Sequence, residues 1–158
     1  MSLLDMDERI LDIFSRSDLV YSPLVDHKDY PEMVDVCLVE GAVSNQDDLD
    51  KVLKVRAHTQ TIIAFGDCAV TSNVPGMRNP IGVLPVLDRS YHENVDINPM
   101  TPNEVVPPLL PMSKPVHTVI DVDVFLPGCP PSADLIYTVL DDLLSGRVPE
   151  VVGSRFGR

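Results

Sequence analysis

Thr61-Ile62-Ile63-Ala64-Phe65-Gly66-Asp67-Cys68-Ala69 is the stretch that decides the fold. Five uncharged, largely β-branched or apolar residues run without interruption into a glycine. Such a short run bounded by a turn residue reads as a strand buried on both faces, which is the signature of a parallel sheet. Upstream, Val34-Asp35-Val36-Cys37-Leu38-Val39 has the same character and ends at Glu40-Gly41-Ala42-Val43. Between the two, Asp47, Asp48 and Asp50 crowd one end of a segment that carries Lys54, Arg56 and His58 at the other. That polarity complements a helix dipole over residues 46–58, with Ser44 and Asp47 as the start signal. Downstream, residues 116–125 give a third strand, with alternation in Val122-Asp123-Val124. It ends at Leu126-Pro127-Gly128-Cys129-Pro130-Pro131. A final helix carries the stripe Ile136, Val139, Leu140, Leu143 and Leu144, and Gly146 and Pro149 end it. A first helix is expected from the stripe Leu3, Met6, Ile10 and Ile13, widened by Leu4, Leu11 and Phe14 and started by Ser2 and Asp5.

Strands alternating with helices imply right-handed parallel crossovers and a three-layer α/β domain. At 158 residues one domain, 1–158, is the expectation. Residues 70–115 differ in kind, because nine of the 15 prolines lie there. Proline fixes φ and removes a donor, so this segment should be irregular, and a loop of that length is usually functional or partner-binding.

Asp and Glu total 24 against 12 Lys and Arg, a net charge of −12. No basic stripe exists to neutralise phosphates, so nucleic acid is excluded as a partner, and an anionic membrane surface would repel the chain. No apolar run approaches the ~20 residues of a membrane span, and the amino terminus lacks the pattern of a signal peptide. Three well-separated cysteines, 37, 68 and 129, argue against a disulfide framework and for a reducing, cytoplasmic setting.

The chemistry concentrates where strands end. Glu40-Gly41, Gly66-Asp67-Cys68-Ala69 and Pro127-Gly128-Cys129-Pro130-Pro131 each follow a strand's carboxyl end, the edge at which open parallel sheets bind ligands. Two cysteines placed there can converge. Glycine before each allows close backbone approach, neighbouring N–H groups can donate to sulfur, and the prolines stiffen the loop at Cys129. Fixed thiolates suit iron–sulfur ligation. Cys37, inside a strand, reads as packing. Zinc-finger spacings, phosphate loops and a serine nucleophile elbow are missing, and the four histidines are scattered. The acidic pairs Asp47-Asp48 and Asp141-Asp142 read as solvated helix faces.

Taken together and in order, the Glu40-Gly41, Gly66-x-Cys68-Ala69 and Pro127-Gly128-Cys129-Pro130-Pro131 motifs resemble the small subunit of [NiFe] hydrogenases, a family homologous to the 20 kDa subunit of respiratory complex I. Met1-Ser2-Leu3-Leu4-Asp5 and residues 89–96 look closer still, resembling the small subunit of soluble, bidirectional NAD(P)-linked hydrogenases. The similarity covers essentially the whole chain, as far as Arg155-Phe156-Gly157. The resemblance implies a flavodoxin-like domain carrying a proximal [4Fe-4S] cluster, with Cys68 and Cys129 as two of four ligands and Glu40, Gly41, Gly66 and Gly128 lining it. It implies a hydrogenase large subunit and diaphorase subunits as partners, electron relay between them as the role, and FMN as a further candidate cofactor. The rivals are an FMN-binding flavodoxin-like module and a structural subunit without a cluster. The family's other two ligands come from a C-x-x-C loop, after a strand of its own, ahead of the helix that opens this chain. Here neither is present, which would leave the sheet without its first strand. The chain either begins at an internal methionine or has lost the cluster, and the intact later motifs favour the first.

Overall fold

The computed structural model describes residues 3–22, 26 and 28–150. Its framework is a parallel sheet of three strands, β1 (Val34–Glu40), β3 (Thr59–Phe65) and β5 (Val124–Leu126), in the order β1-β3-β5. β1 and β3 run in register from Val34↔Thr59 to Glu40↔Phe65, and β3 continues to β5 through Phe65↔Leu126. Among the described residues nothing pairs with the outer side of β1.

Period-two alternation along β3 builds two cores. Ile62 and Ala64 face one way and join Val43, Val52, Val70, Val116 and Ile120. Ile63 and Phe65 face the other and join Met6, Leu126, Ile136 and Val139. Helix α2 (Gln46–Ala57) covers the first face, while α1 (Arg9–Ser15) and α6 (Ala133–Leu144) cover the second. The three-layer α/β reading therefore holds.

Local chemistry sets the boundaries. Asn45 caps α2: its side chain accepts from the Asp48 N–H, and Asp48 accepts back from the Asn45 N–H, a reciprocal capping box. The cap thus sits one residue beyond the expected Ser44, and Asp48 is a structural acceptor rather than a solvated charge. Asp141 and Asp142 are likewise engaged. Arg16 reaches Asp141 at 2.7 Å and Arg147 reaches Asp142 at 2.7 Å, so α6 is tied to α1 and to its own exit. Ser132 caps α6.

Three expectations need correction. The first helix is broken: a 3₁₀ turn, Leu4–Met6, is separated from α1 by Asp7 at φ +51°. Met6 and Ile13 are buried, while Leu3, Leu4, Leu11 and Phe14 are exposed, so the stripe is wider than the surface it covers. Ser2 lies outside the described residues. The strand expected over 116–125 is only Val124–Leu126. Val116 and Ile120 sit on one side because the chain makes a helical turn there, with the Ile120 N–H donating to Val116 O. A spacing of four lies on one side of a helical turn, and both residues are buried in one core. Finally, residues 70–115 are more regular than their prolines suggest. Short helices α3 (Gly66–Thr71), α4 (Asn73–Gly76) and α5 (Val83–Asp88) precede β4 (Leu109–Lys114), which pairs antiparallel with β2 (Val43–Asn45). Pro111 is tolerated because β4 is an edge strand whose register shifts between the Val43↔Lys114 and Asn45↔Leu109 pairs.

Candidate functional site

Glu40, Phe65 and Leu126 stand in one row across the parallel sheet. The residues that follow them, Gly41, Gly66 and Pro127, therefore leave from the same edge. The three strand-end motifs are brought together, as their positions after strands required.

Two of the three motifs touch. The Asp67 N–H donates to Gly128 O at 2.8 Å, and the Gly128 N–H donates to the Asp67 carboxylate Oδ1 at 2.7 Å. Cys68 and Cys129 each directly follow one of these partners. Two sulfurs far apart in sequence are thus carried on backbone segments joined by a pair of hydrogen bonds. Cys129 is exposed and Cys68 half-buried, and both are free thiols. Cys68 lies in the first turn of α3 rather than in an irregular loop. The amides of Asp67 and Gly128 are consumed by the clasp, so they are not the N–H groups that would donate to a sulfur.

The glycines have separate reasons. Gly66 has φ +81°, where an L side chain is strained, while a Cβ there would stand in ordinary contact, 3.4 Å from Gly128 O. Gly128 has φ +140°, and its Cβ would lie 2.5 Å from Pro131 Cα, so the turn through Pro130 and Pro131 itself demands glycine. The Cys129–Pro130 peptide is cis. Gly41 has φ +86° with open space where a Cβ would go, so its requirement is conformational alone. Glu40 is exposed beside it.

Cys37 lies apart from this edge, in mid-β1 beside Ile62, packed against the first core. Burial pushes its thiol up from the ordinary range, and a hydrogen bond with Tyr30 only partly offsets this. That is the profile of a packing cysteine.

Among the described residues no cluster of three or more His, Cys, Asp or Glu side chains is placed to hold a metal ion. Two cysteines, Cys68 and Cys129, stand on the clasped segments, half the number that a Cys₄ iron–sulfur site takes. The chemistry of those two fits: thiols, one exposed and one half-buried, on segments fixed against each other. The residue whose role sequence reasoning missed is Asp67, named there within Gly66-Asp67-Cys68-Ala69 but given no function. Its signal was available, since an acidic side chain between a glycine and a cysteine at a strand end has to find an acceptor role or face solvent.

Comparison with known proteins identifies the family. The family described as NADH ubiquinone oxidoreductase, 20 Kd subunit, matches residues 1–143. The chain is 36% identical to the NAD-reducing hydrogenase HoxS subunit delta of Cupriavidus necator, over 93% of this chain and 73% of that protein. It is 33% identical to a subunit of the F420-non-reducing hydrogenase vhu of Methanocaldococcus jannaschii, over 96% of the chain and 53% of that protein. The iron-sulfur subunit of an F420-non-reducing hydrogenase from Archaeoglobus profundus is 26% identical, over 94% of the chain and again 53% of that protein. The chain thus spans about half the length of these two F420-non-reducing hydrogenase relatives. A crystal structure of an NAD+-reducing [NiFe]-hydrogenase in the H2-reduced state contains a chain that superposes with a TM-score of 0.90 at 35% identity, covering 95% of this chain and 85% of that one.

Proposed function

This chain belongs to the family of the NADH ubiquinone oxidoreductase 20 kDa subunit, and from that premise we propose that it is the electron-transfer subunit of a [NiFe] hydrogenase, an oxidoreductase in which it takes part but does not act alone. The observation that carries the reading is the convergence of Cys68 and Cys129 on two hydrogen-bonded segments at the carboxyl edge of a parallel sheet. The relatives named as hydrogenase subunits support the complex, and the one named as an iron-sulfur subunit supports the kind of cofactor.

In this proposal Cys68 and Cys129 hold one side of a [4Fe-4S] cluster. The remaining ligands come from outside the described residues. When bound, such a cluster supplies one-electron storage at a potential set by charge, hydrogen bonds and exposure. The chain's own part is positional. The strand ends fix where the two thiolates stand, the glycines keep side chains out of the approach, and Pro130 and Pro131 restrict the backbone at Cys129. Glu40 and Gly41 border the same edge. The exposed side of this edge would face a large subunit carrying the nickel–iron centre, and electrons would pass on to NAD(P)-reducing diaphorase subunits, a partner set supported by the NAD-reducing relatives.

Cys129→Ser and Cys68→Ser, each made in the assembled hydrogenase, should each remove one iron–sulfur signal from the electron paramagnetic resonance spectrum while leaving the subunit in the complex. An unchanged spectrum in both variants refutes the ligand assignment. Releasable flavin and no iron in the purified wild-type subunit would instead favour an FMN-binding module.

A further inference from the structure

We propose that Asp67 is the positioning residue that sets the separation of the two cysteines. The inference rests on the cluster reading above and adds to it how this chain holds its two ligands in place. β-pairing between β3 and β5 stops at Phe65↔Leu126. Beyond it the chains would be free to diverge, since Gly66 begins a helix and Pro127 an irregular turn. Asp67 closes the gap with two bonds to one residue: its main-chain N–H to Gly128 O, and its side-chain oxygen from the Gly128 N–H. A single hydrogen bond would act as a hinge. Two, meeting the donor and the acceptor of the same residue, fix both distance and rotation. A side-chain carboxylate thus stands in for the next rung of the sheet ladder, where a helix has replaced the strand.

The neighbourhood is built around this closure. The Thr71 hydroxyl donates to the Asp67 carbonyl at 2.8 Å, so the residue is held from its other side by its own helix. A Cβ at Gly66 would lie in van der Waals contact, at 3.4 Å, with the very oxygen to which the Asp67 N–H donates. The carboxylate has its hydrogen bond from a neutral amide, and no Arg, Lys or His forms an ion pair with it among the described residues. Its negative charge, with no ion-pair partner among the described residues, stands next to Cys68 in the chain. A carboxylate acceptor strengthens the bond relative to a neutral one, and its charge favours the oxidised state of any redox centre bound there.

Two substitutions separate these effects. Asp67→Asn keeps an oxygen for the Gly128 N–H but removes the charge. Asp67→Ala removes both. In the assembled hydrogenase, Asp67→Asn should retain the cluster and shift its midpoint potential, read by redox-poised paramagnetic resonance, in the positive direction. Asp67→Ala should lose hydrogen-exchange protection at the Gly128 amide and hold iron roughly 10–100-fold more weakly against a chelator, the usual range for groups that orient metal ligands. A cluster-loaded wild type with Asp67→Ala unaltered in Gly128 protection and iron retention overturns the proposal alone. A wild-type complex in which this subunit carries no iron overturns the cluster reading, and this role with it. The two failures are told apart in the control rather than in the variant.

Discussion

Gly41 and Gly128 both hold positive φ, yet they should respond differently to the same methyl group. At Gly41 a Cβ meets nothing within 4 Å, so Gly41→Ala carries only the backbone cost, about 1–2 kcal/mol for an L-residue in left-handed space. At Gly128 the Cβ would lie 2.5 Å from Pro131 Cα and 2.6 Å from Pro131 N, both main-chain or ring atoms that cannot swing aside. Gly128→Ala should therefore cost more than Gly41→Ala in urea unfolding, and should displace the turn carrying Cys129. Equal midpoints for the two variants would mean that the turn yields more easily than its geometry implies. Asp67 belongs to the same scale: one side chain, invisible to a motif that treats its position as variable, joins the segments of the two cysteines at the sheet edge.

At the scale of elements, the join between β3 and the chain before β5 depends on Asp123. Its carboxylate Oδ2 accepts from the Ile62 N–H at 2.7 Å, and its own N–H donates to Ile62 O at 3.0 Å. Arg56, at the end of α2, adds a contact at 2.8 Å and also donates to Thr59 O and Gln60 O. Asp123→Ala would leave the amide of a fully buried residue without an acceptor, which costs about 1–3 kcal/mol. Chemical denaturation checks that value. Partial burial pushes the Asp123 carboxyl up, but the Ile62 amide and the Arg56 guanidinium outweigh this and hold it below the ordinary range. Its ionised form therefore stabilises the fold in full above about pH 4, the unfolded value, and the contribution fades as pH falls through the lower folded value. Because Asp123 is half-exposed the effect is small, within ~1 kcal/mol. The difference in urea midpoint between wild type and Asp123→Asn should be constant near neutrality and shrink below pH 4. A difference that grows on acidification would contradict the assignment.

These elements also mark how far the sequence was legible. β1, α2, β3 and α6 were readable because each has one dominant period and a capping or breaking residue at its ends. Gln46–Ala57 follows its acidic start, and Thr59–Phe65 its uncharged run. The site's edge followed from that, since a parallel sheet puts successive strand ends together. β4 was hidden because Pro111 signals a breaker, and only its pairing partner β2, far away in sequence, shows that an edge strand can absorb it. The turn at Val116 was hidden because burial on one side of a short apolar run is compatible with either period. The acidic side chain of Asp67 at a strand end signalled an acceptor, but not its partner, because main-chain amides leave no letter in the sequence.

At the scale of the whole molecule, apolar side chains are distributed unevenly. Val74, Met77, Ile81, Leu84, Ile97 and Met100 are all more than half exposed, and all belong to the segment between β3 and β4. Scattered exposed apolar residues need no explanation; their number in this one segment is the ground on which we propose it as a docking surface. The segment is anchored from beneath. Arg78 donates to Ser44 O and Leu110 O at 2.9 Å each, and the Asn79 side chain bonds both the N–H and the C=O of Ser113. An apolar surface held this firmly is suited to docking against a preformed partner, and the hydrogenase large subunit is the partner we propose for it. Met77 and Leu84, at 70% and 79% exposure, are the sharpest probes. Met77→Glu with Leu84→Glu should leave the subunit's own stability within about 0.5 kcal/mol, as surface changes do. It should sharply reduce copurification with the large subunit, because two carboxylates would be desolvated at the contact without partners. Leu11→Glu, on the exposed side of α1, is the control: 67% exposed and equally apolar, but on the other face of the sheet. If both changes weaken assembly alike, the contact is not confined to the proline-rich segment. If neither does, the segment's apolar side chains serve some other surface.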